Sequence, residues 1–314
     1  MVASTTEAPA AGAAATGPPS VGTGTLGPRG ATAFVAPALG LIGVFLIFPA
    51  LWTLYLGLTN LRLTGLSALA PQFVGLGNFT RALADPLFAN SLRVTLIFVL
   101  GSAVVGQTGL GFLLAWTLRG WRGWLRSSVE VLVILAWIIP GSVVAFLWIA
   151  LLDGRSGTLN AVLGRATTEW LLDYPMLSII VFNTWRGTAF SMLLFGAALN
   201  SLPPSHLEAA RLAGASGWQQ LRDVVLPSIR GHILTALLLI SLWTFNLFTP
   251  YLLTRGGPNF QTEVLPIFIF RNAISSGQLG YGAAISAIML AINLVIALVY
   301  LNVLRDRQPG GRAA

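Results

Sequence analysis

The sequence predicts an all-α, polytopic membrane protein with six transmembrane helices and a polar helix-turn-helix loop between the fourth and fifth. Composition is the first sign. Of 314 residues, 55% are hydrophobic and only 9% charged, with mean hydropathy +0.78; soluble globular domains carry about 25% charged residues. The second sign is length. A membrane-crossing helix needs roughly 20 consecutive apolar residues, and charge-free runs of that order recur at Gly30–Leu61, Val94–Leu118, Val131–Leu152, Gly231–Thr254 and Asn272–Leu304. A further run, Tyr174–Leu207, is interrupted by the single charge of Arg186. Third, these runs are continuously apolar and do not alternate, which favours helices over a β-barrel.

Taken in order, the expected organisation is a disordered tail at 1–30, a transmembrane domain at 31–306 and a short tail at 307–314. The first tail is rich in Ala, Gly, Pro, Ser and Thr and lacks apolar periodicity. It precedes a segment long enough to stay in the bilayer, unlike a cleaved leader. The spans are expected at 32–58, 94–118, 131–152, 175–200, 232–254 and 279–304, with the polar loop at 201–230. Six spans put both termini on one side. Placing them inside gathers Arg29, Arg119, Arg122, Arg126, Arg211, Arg222, Arg230, Arg305, Arg307 and Arg312 there. Cytoplasmic loops carry an excess of basic residues, and the short loop "RGWRGWLR" supplies the sharpest part of the bias.

Several functional classes are disfavoured. There is no Cys, so no disulfide, Cys-based metal or redox site is possible. The sequence has no H-E-x-x-H, no paired carboxylates within the spans and no G-x-x-x-x-G-K-[ST] nucleotide loop. No catalytic residue, metal site or cofactor is therefore expected in this chain. The net charge of +8 comes from 18 basic residues, every one an Arg. In a chain this apolar, that basicity points to the lipid bilayer and its anionic lipids and not to nucleic acid.

The loop "SLPPSHLEAARLAGASGWQQLRDVVLP" has a design of its own. Ser205 followed three residues later by Glu208 fits a helix N-terminal capping box. Gly214 suits the left-handed residue that ends a helix. Beyond Ser216, Trp218, Leu221, Val224 and Val225 share one face, with Gln219, Arg222 and Asp223 opposite, before Leu226-Pro227 closes the stretch. An interfacial amphipathic linker would account for this pattern; a stand-alone channel would leave it without a purpose.

Arg186 falls near the middle of its span, where a charge costs at least roughly 2.5–3.5 kcal/mol and should face protein or a wet cavity. Asn183, Arg186 and Phe190 recur at helical spacing on one face, and Gly187 thins it. Polar donors beside an aromatic surface suit a sugar. The same residues serve equally well as interhelical hydrogen-bonding groups. Pro140 and Gly141 in "AWIIPGS" mark a kink one turn from Trp137, and Trp243 and Asn246 in "SLWTFNLF" share a face that could meet the same cavity.

Glu208, Ala209, Ala210, Gly214, Leu226 and Pro227, at their spacing in this loop, resemble the "EAA" loop of the permease subunits of bacterial carbohydrate ABC importers of the maltose and glycerol-3-phosphate type. Ala213 departs from the Asp that many members carry before the Gly. The segments "FVGLGNF", "DPLFANSLRVT", "NTWRGTAF", "LLTRGGP" and "GYGAAIS" extend the likeness over about 31–306. The resemblance implies a multi-pass plasma-membrane subunit that forms half of a path for a sugar or polyol. It implies a second permease subunit, a cytoplasmic ATPase dimer that binds ATP and Mg, and an extracytoplasmic sugar-binding protein as partners. It also implies that Glu208 to Gly214 couples to the ATPase, and that substrate meets the helix matched at Asn183, Trp185 and Gly187.

Overall fold

The computed structural model describes residues 28–121, 123–164 and 168–305; Arg122, Arg165 and the two expected tails beyond 28 and 305 lie outside them. Among the described residues the secondary structure is helical, apart from one isolated bridge between Thr59 and Phe73. Among the described residues four helices are long and apolar enough to cross a bilayer, and the number is six if each of two bent pairs is one span.

The first, α1 (Val35–Gly57), has mean hydropathy 2.1 over its best window. The chain up to Ala50 forms a unit by itself, and the rest of the fold forms another from Leu51 onwards. Within that second unit, α2 (Gly77–Ala84) leads into α3 (Pro86–Leu118). This helix starts earlier than the expected residue 94. The Asp85 carboxylate accepts from the Leu87 N–H at 2.9 Å, and Pro86 at the first helical position is pre-organised for the turn. Arg93 rides on its exposed side. Residues Val99–Gln107 of α3 wind as a π-helix.

The expected third span is two helices, α4 (Trp124–Ile138) and α5 (Gly141–Leu151), which meet at 106°. The sequence suggests a kink; the chain breaks instead. Ile139, preceding proline, takes extended φ/ψ of −60° and 133°, because proline disfavours helical geometry in the residue before it. The fourth, α6 (Pro175–Asn200), runs unbroken for 26 residues.

Two short helices follow, α7 (Pro204–Leu212) and α8 (Gly217–Ser228), the latter bent by 71° from α9 (Arg230–Phe245). The fifth span ends at Phe245 and not at 254, because Asn246 leaves helical geometry at φ −95°, ψ 6° and α10 (Pro250–Thr254) is a separate turn. Then come α11 (Leu265–Ser275) and α12 (Leu279–Leu304).

Side chains of α3, α6, α9 and α12 fill one core, including Met192, Phe195, Ile240, Phe245 and Ile285. Phe195 meets Phe112 edge to face at 5.4 Å. Glycines set the closeness of α3 to α6. A Cβ at Gly101 would come within 2.8 Å of Ile180 Cδ1, and one at Gly111 within 2.9 Å of the Met192 nitrogen. At Gly106 it would overlap Thr184. Lacking a hydrophobic drive between helices in lipid, such small-residue contacts are what allow close packing.

Candidate functional site

The expected residues converge on a cavity between α3, α4, α6 and α9, lined by Gln107, Trp137, Asn183, Arg186, Phe190 and Trp243, with Gly187, Ile240, Thr244 and Leu247 completing the wall. Helical spacing explains the α6 contribution, since residues three and four apart stand over one another. The break after Ile138 ends α4 one residue beyond Trp137 and brings its indole over. Trp137, Phe190 and Trp243 form a three-ring cluster, with centroid separations of 5.8 Å, 6.5 Å and 5.7 Å. The partly open cavity has a volume of about 40 Å³, room for a few water molecules and not for a sugar ring.

Each polar member is placed differently. Asn183 is 4% exposed; its amide donates to Ser102 Oγ at 2.8 Å and to Thr244 Oγ1 at 3.5 Å. It ties α6 to α3 and α9 while one edge faces the cavity. Arg186 has no hydrogen bond or ion pair among the described residues, and its Nε is buried without a partner. Its guanidinium packs on Gly141, where a Cβ would lie 2.9 Å from a terminal nitrogen. Gly187 does make room, but for Gln107, whose side-chain amide occupies the place a Cβ would take.

Asn246 stands apart from the cavity. With α9 ended at Phe245, it pairs instead with Asn293 of α12 at 3.2 Å and 3.1 Å. Trp185 points away, 42% exposed and 5.8 Å from Trp148. Sequence reasoning missed Gln107 and Thr244. Gln107, a lone amide in a long apolar run, was the available signal; Thr244 had none beyond its position next to Trp243.

At the other feature, the loop is a helix, a turn and a helix. None of the α7 residues is buried. Its N-terminus differs from expectation: Pro203 is the cap residue and no side chain caps the helix. Pro204, with its fixed φ, already occupies the first helical position, so Ser205 lies inside and cannot cap with Glu208. The capping box sits one helix later, where Ser216 Oγ accepts from the Gln219 N–H and Gln219 Oε1 accepts from the Ser216 N–H at 2.7 Å. Gly214 is left-handed at φ +81°. Its N–H donates to the Arg211 carbonyl and that of Ala215 to the Ala210 carbonyl, both at 2.9 Å, which satisfies carbonyls at the helix end.

In α8, Val225 is fully buried and Leu221 half-buried. Trp218 leaves that face, 67% exposed, because residues Gln220–Val225 wind as a π-helix and shift the register. Leu226-Pro227 precedes the bend at Ile229 into α9. Behind α7 lies an open groove of about 800 Å³ lined by Trp116, Arg119, Trp121, Asn200, Leu207 and Arg211. Arg119 lies over the Trp116 ring at 4.2 Å; burial, and then the like charge of Arg211, pushes its pKa down.

A set of apolar helices around a small aromatic and polar cavity, with a helical loop between two of them, is the build of a polytopic membrane protein. Residues 107–307 match the binding-protein-dependent transport system inner membrane component family, and the chain belongs to it. A probable ABC transporter permease of Pyrococcus horikoshii is 32% identical, covering 85% of this chain and 93% of its own. The sn-glycerol-3-phosphate transport system permease of Agrobacterium fabrum is 32% identical, covering 84% and 90%. The sulfoquinovosyl glycerol permease of that organism is 29% identical, covering 88% and 91%. A bacterial ABC transporter involved in the import of the acidic polysaccharide alginate shares the fold, with TM-score 0.75 at 21% identity over 88% of this chain and 96% of its own. The chain is thus a permease of the ABC transporter class, an inner membrane component, and not itself the catalytic subunit.

Proposed function

We propose that this chain is one permease half of an ATP-driven importer that carries a sugar or related polyol across the bacterial plasma membrane. Its partners are a second permease subunit, a cytoplasmic ATPase dimer that holds ATP and Mg, and an extracytoplasmic binding protein. The observation that carries this reading is α7, a nine-residue helix with no buried residue, stopped sharply by Gly214. A largely exposed polar helix, anchored to the bundle through Leu207, is a surface made for a partner. Glu208, Ala209, Ala210 and Gly214 form its docking side, and Leu226-Pro227 fixes the return into α9.

The substrate reading rests on the Trp137, Phe190 and Trp243 cluster beside Asn183, Arg186 and Gly187; Gly141 is not part of the cavity lining and backs the Arg186 guanidinium. Aromatic faces accept sugar C–H surfaces while donors meet hydroxyls. Two of the relatives are named for polyol-derived solutes and the alginate importer for a polysaccharide, which supports the same class. The small cavity supplies one wall, and the second permease furnishes the rest. Asn246 is proposed to act on α12 and not on solute. Reconstituting the complex in proteoliposomes tests the function: labelled saccharide or polyol should accumulate only with ATP and the binding protein. A complex that hydrolyses ATP yet accumulates none of a broad saccharide and polyol panel would overturn it.

A further inference from the structure

We propose that the solute carried by this chain bears an anionic group, and that Arg186 is the cation that receives it. This rests on the transport reading above and narrows it to a class of substrate.

The argument is an accounting of charge. Arg186 is the twelfth residue of the 26 in α6, midway along a membrane helix. A cation at that depth must be compensated. The sequence has ten acidic residues, and none lies in α3, α5, α6, α9 or α12. Glu130 in α4 is taken by Arg126 at 2.8 Å. Among the described residues the other half-buried arginines have counterparts. Arg126 meets Glu130, Arg271 meets Glu263 at 3.1 Å, and Arg119 lies over Trp116. Among the described residues Arg186 has neither carboxylate nor ring beneath it, and its Nε is buried and unpartnered.

The surroundings offer no substitute. Gln107, Asn183 and Thr244 are neutral. Gly141, against which the guanidinium packs, opens α5, and the first turn of a helix carries partial positive charge. A neutral sugar hydroxyl would accept a hydrogen bond and leave the full charge in place. A carboxylate, sulfonate or phosphate on the sugar or polyol would accept a forked pair of bonds and cancel the charge together. The aromatic cluster would then hold the uncharged body of the same molecule.

The test uses the assembled complex in proteoliposomes with its binding protein. The solutes are glucosyl glycerol, its glucuronate, 6-sulfonate and 6-phosphate counterparts, and glycerol 3-phosphate. At least one anionic solute should enter tenfold faster or more than glucosyl glycerol. Removing a charge-assisted bond costs about tenfold to a hundredfold in binding, so Arg186→Gln should cut subsaturating uptake of that solute by this factor. Arg186→Lys should retain more of it, and both variants should keep the ATPase bound. Uptake of the neutral solute as fast as any anion would overturn the proposal and place the counter-charge on the second permease. So would undiminished anion uptake by Arg186→Gln. Should that variant fail to assemble, the wild-type panel alone decides. Absence of all uptake from a complex that hydrolyses ATP would overturn both this inference and the transport reading.

Discussion

Asn183 shows how one side chain joins structure to transport. Its amide bridges to Ser102 and Thr244, so truncation removes helix-to-helix bonds before it removes anything from solute. Asn183→Ala should lower stability by about 1–3 kcal/mol, the cost of leaving buried partners unpaired, read as a lower unfolding temperature in detergent. Gly187→Leu should fare worse. Its side chain collides with Gln107, and overpacking costs typically 1–3 kcal/mol, so the expected outcome is reduced yield of assembled protein. Assembly at wild-type yield would contradict this geometry. Glu263 gives a pH signature at another point. It is 1% exposed, and burial raises its pKa to about 7 despite the opposing charge of Arg271. A carboxyl whose folded pKa exceeds its unfolded value binds more protons when folded, so its stabilising contribution is full below about 4.5 and is lost as pH rises through about 7. The protein should melt at lower temperature at pH 8 than at pH 5, and Glu263→Gln should flatten that difference. An unchanged pH profile in the variant would place the titration elsewhere.

At the level of elements, α7 carries the strongest expectation. Glu208→Lys reverses a charge on the proposed docking face without touching a buried residue, so the protein should insert and fold normally yet fail to retain the ATPase on purification. Gly214→Asp forces a side chain into left-handed geometry, a local cost of about 1 kcal/mol, and should loosen the α7 end with the same loss of ATPase. Normal retention in both would remove the coupling assignment. The sequence also shows why some features were legible and others were not. Gly214 was readable because its conformation is a property of one residue. The cap at Ser205 was misplaced because Pro204 competes for the start of the same helix. The ends of α3 and α9 depended on Asp85 and Asn246, polar residues outside or at the edge of the apolar runs that define a span. Composition finds the bilayer-crossing middle of a helix well, and says little about its continuation beyond. Of the cavity, the α6 residues followed from periodicity. Gln107 needed knowledge of which helix faces Gly187, which only the packing of α3 provides.

For the whole molecule, six spans and the Arg119–Arg126 loop predict that both ends lie on the inner face. Reporter fusions at Gly164 and Ser216 should report the outside and inside of the membrane respectively, and the opposite pattern would invalidate both the orientation and the docking of α7. The apolar spans, the charge bias and the loop were evident from sequence because lipid imposes them on every residue of a span. The 106° break between α4 and α5 was visible only as a proline, since its angle depends on what the two halves pack against. The glycine contacts between α3 and α6 bear on motion. Where backbones approach so closely that a methyl group at Gly106 would strike Thr184, sliding or rotation of one helix on the other runs immediately into steric overlap. These two helices must travel as one piece. Relative movement of helices is left to the interruptions at Ile139 and Ile229, where successive helices already meet at 106° and 71°.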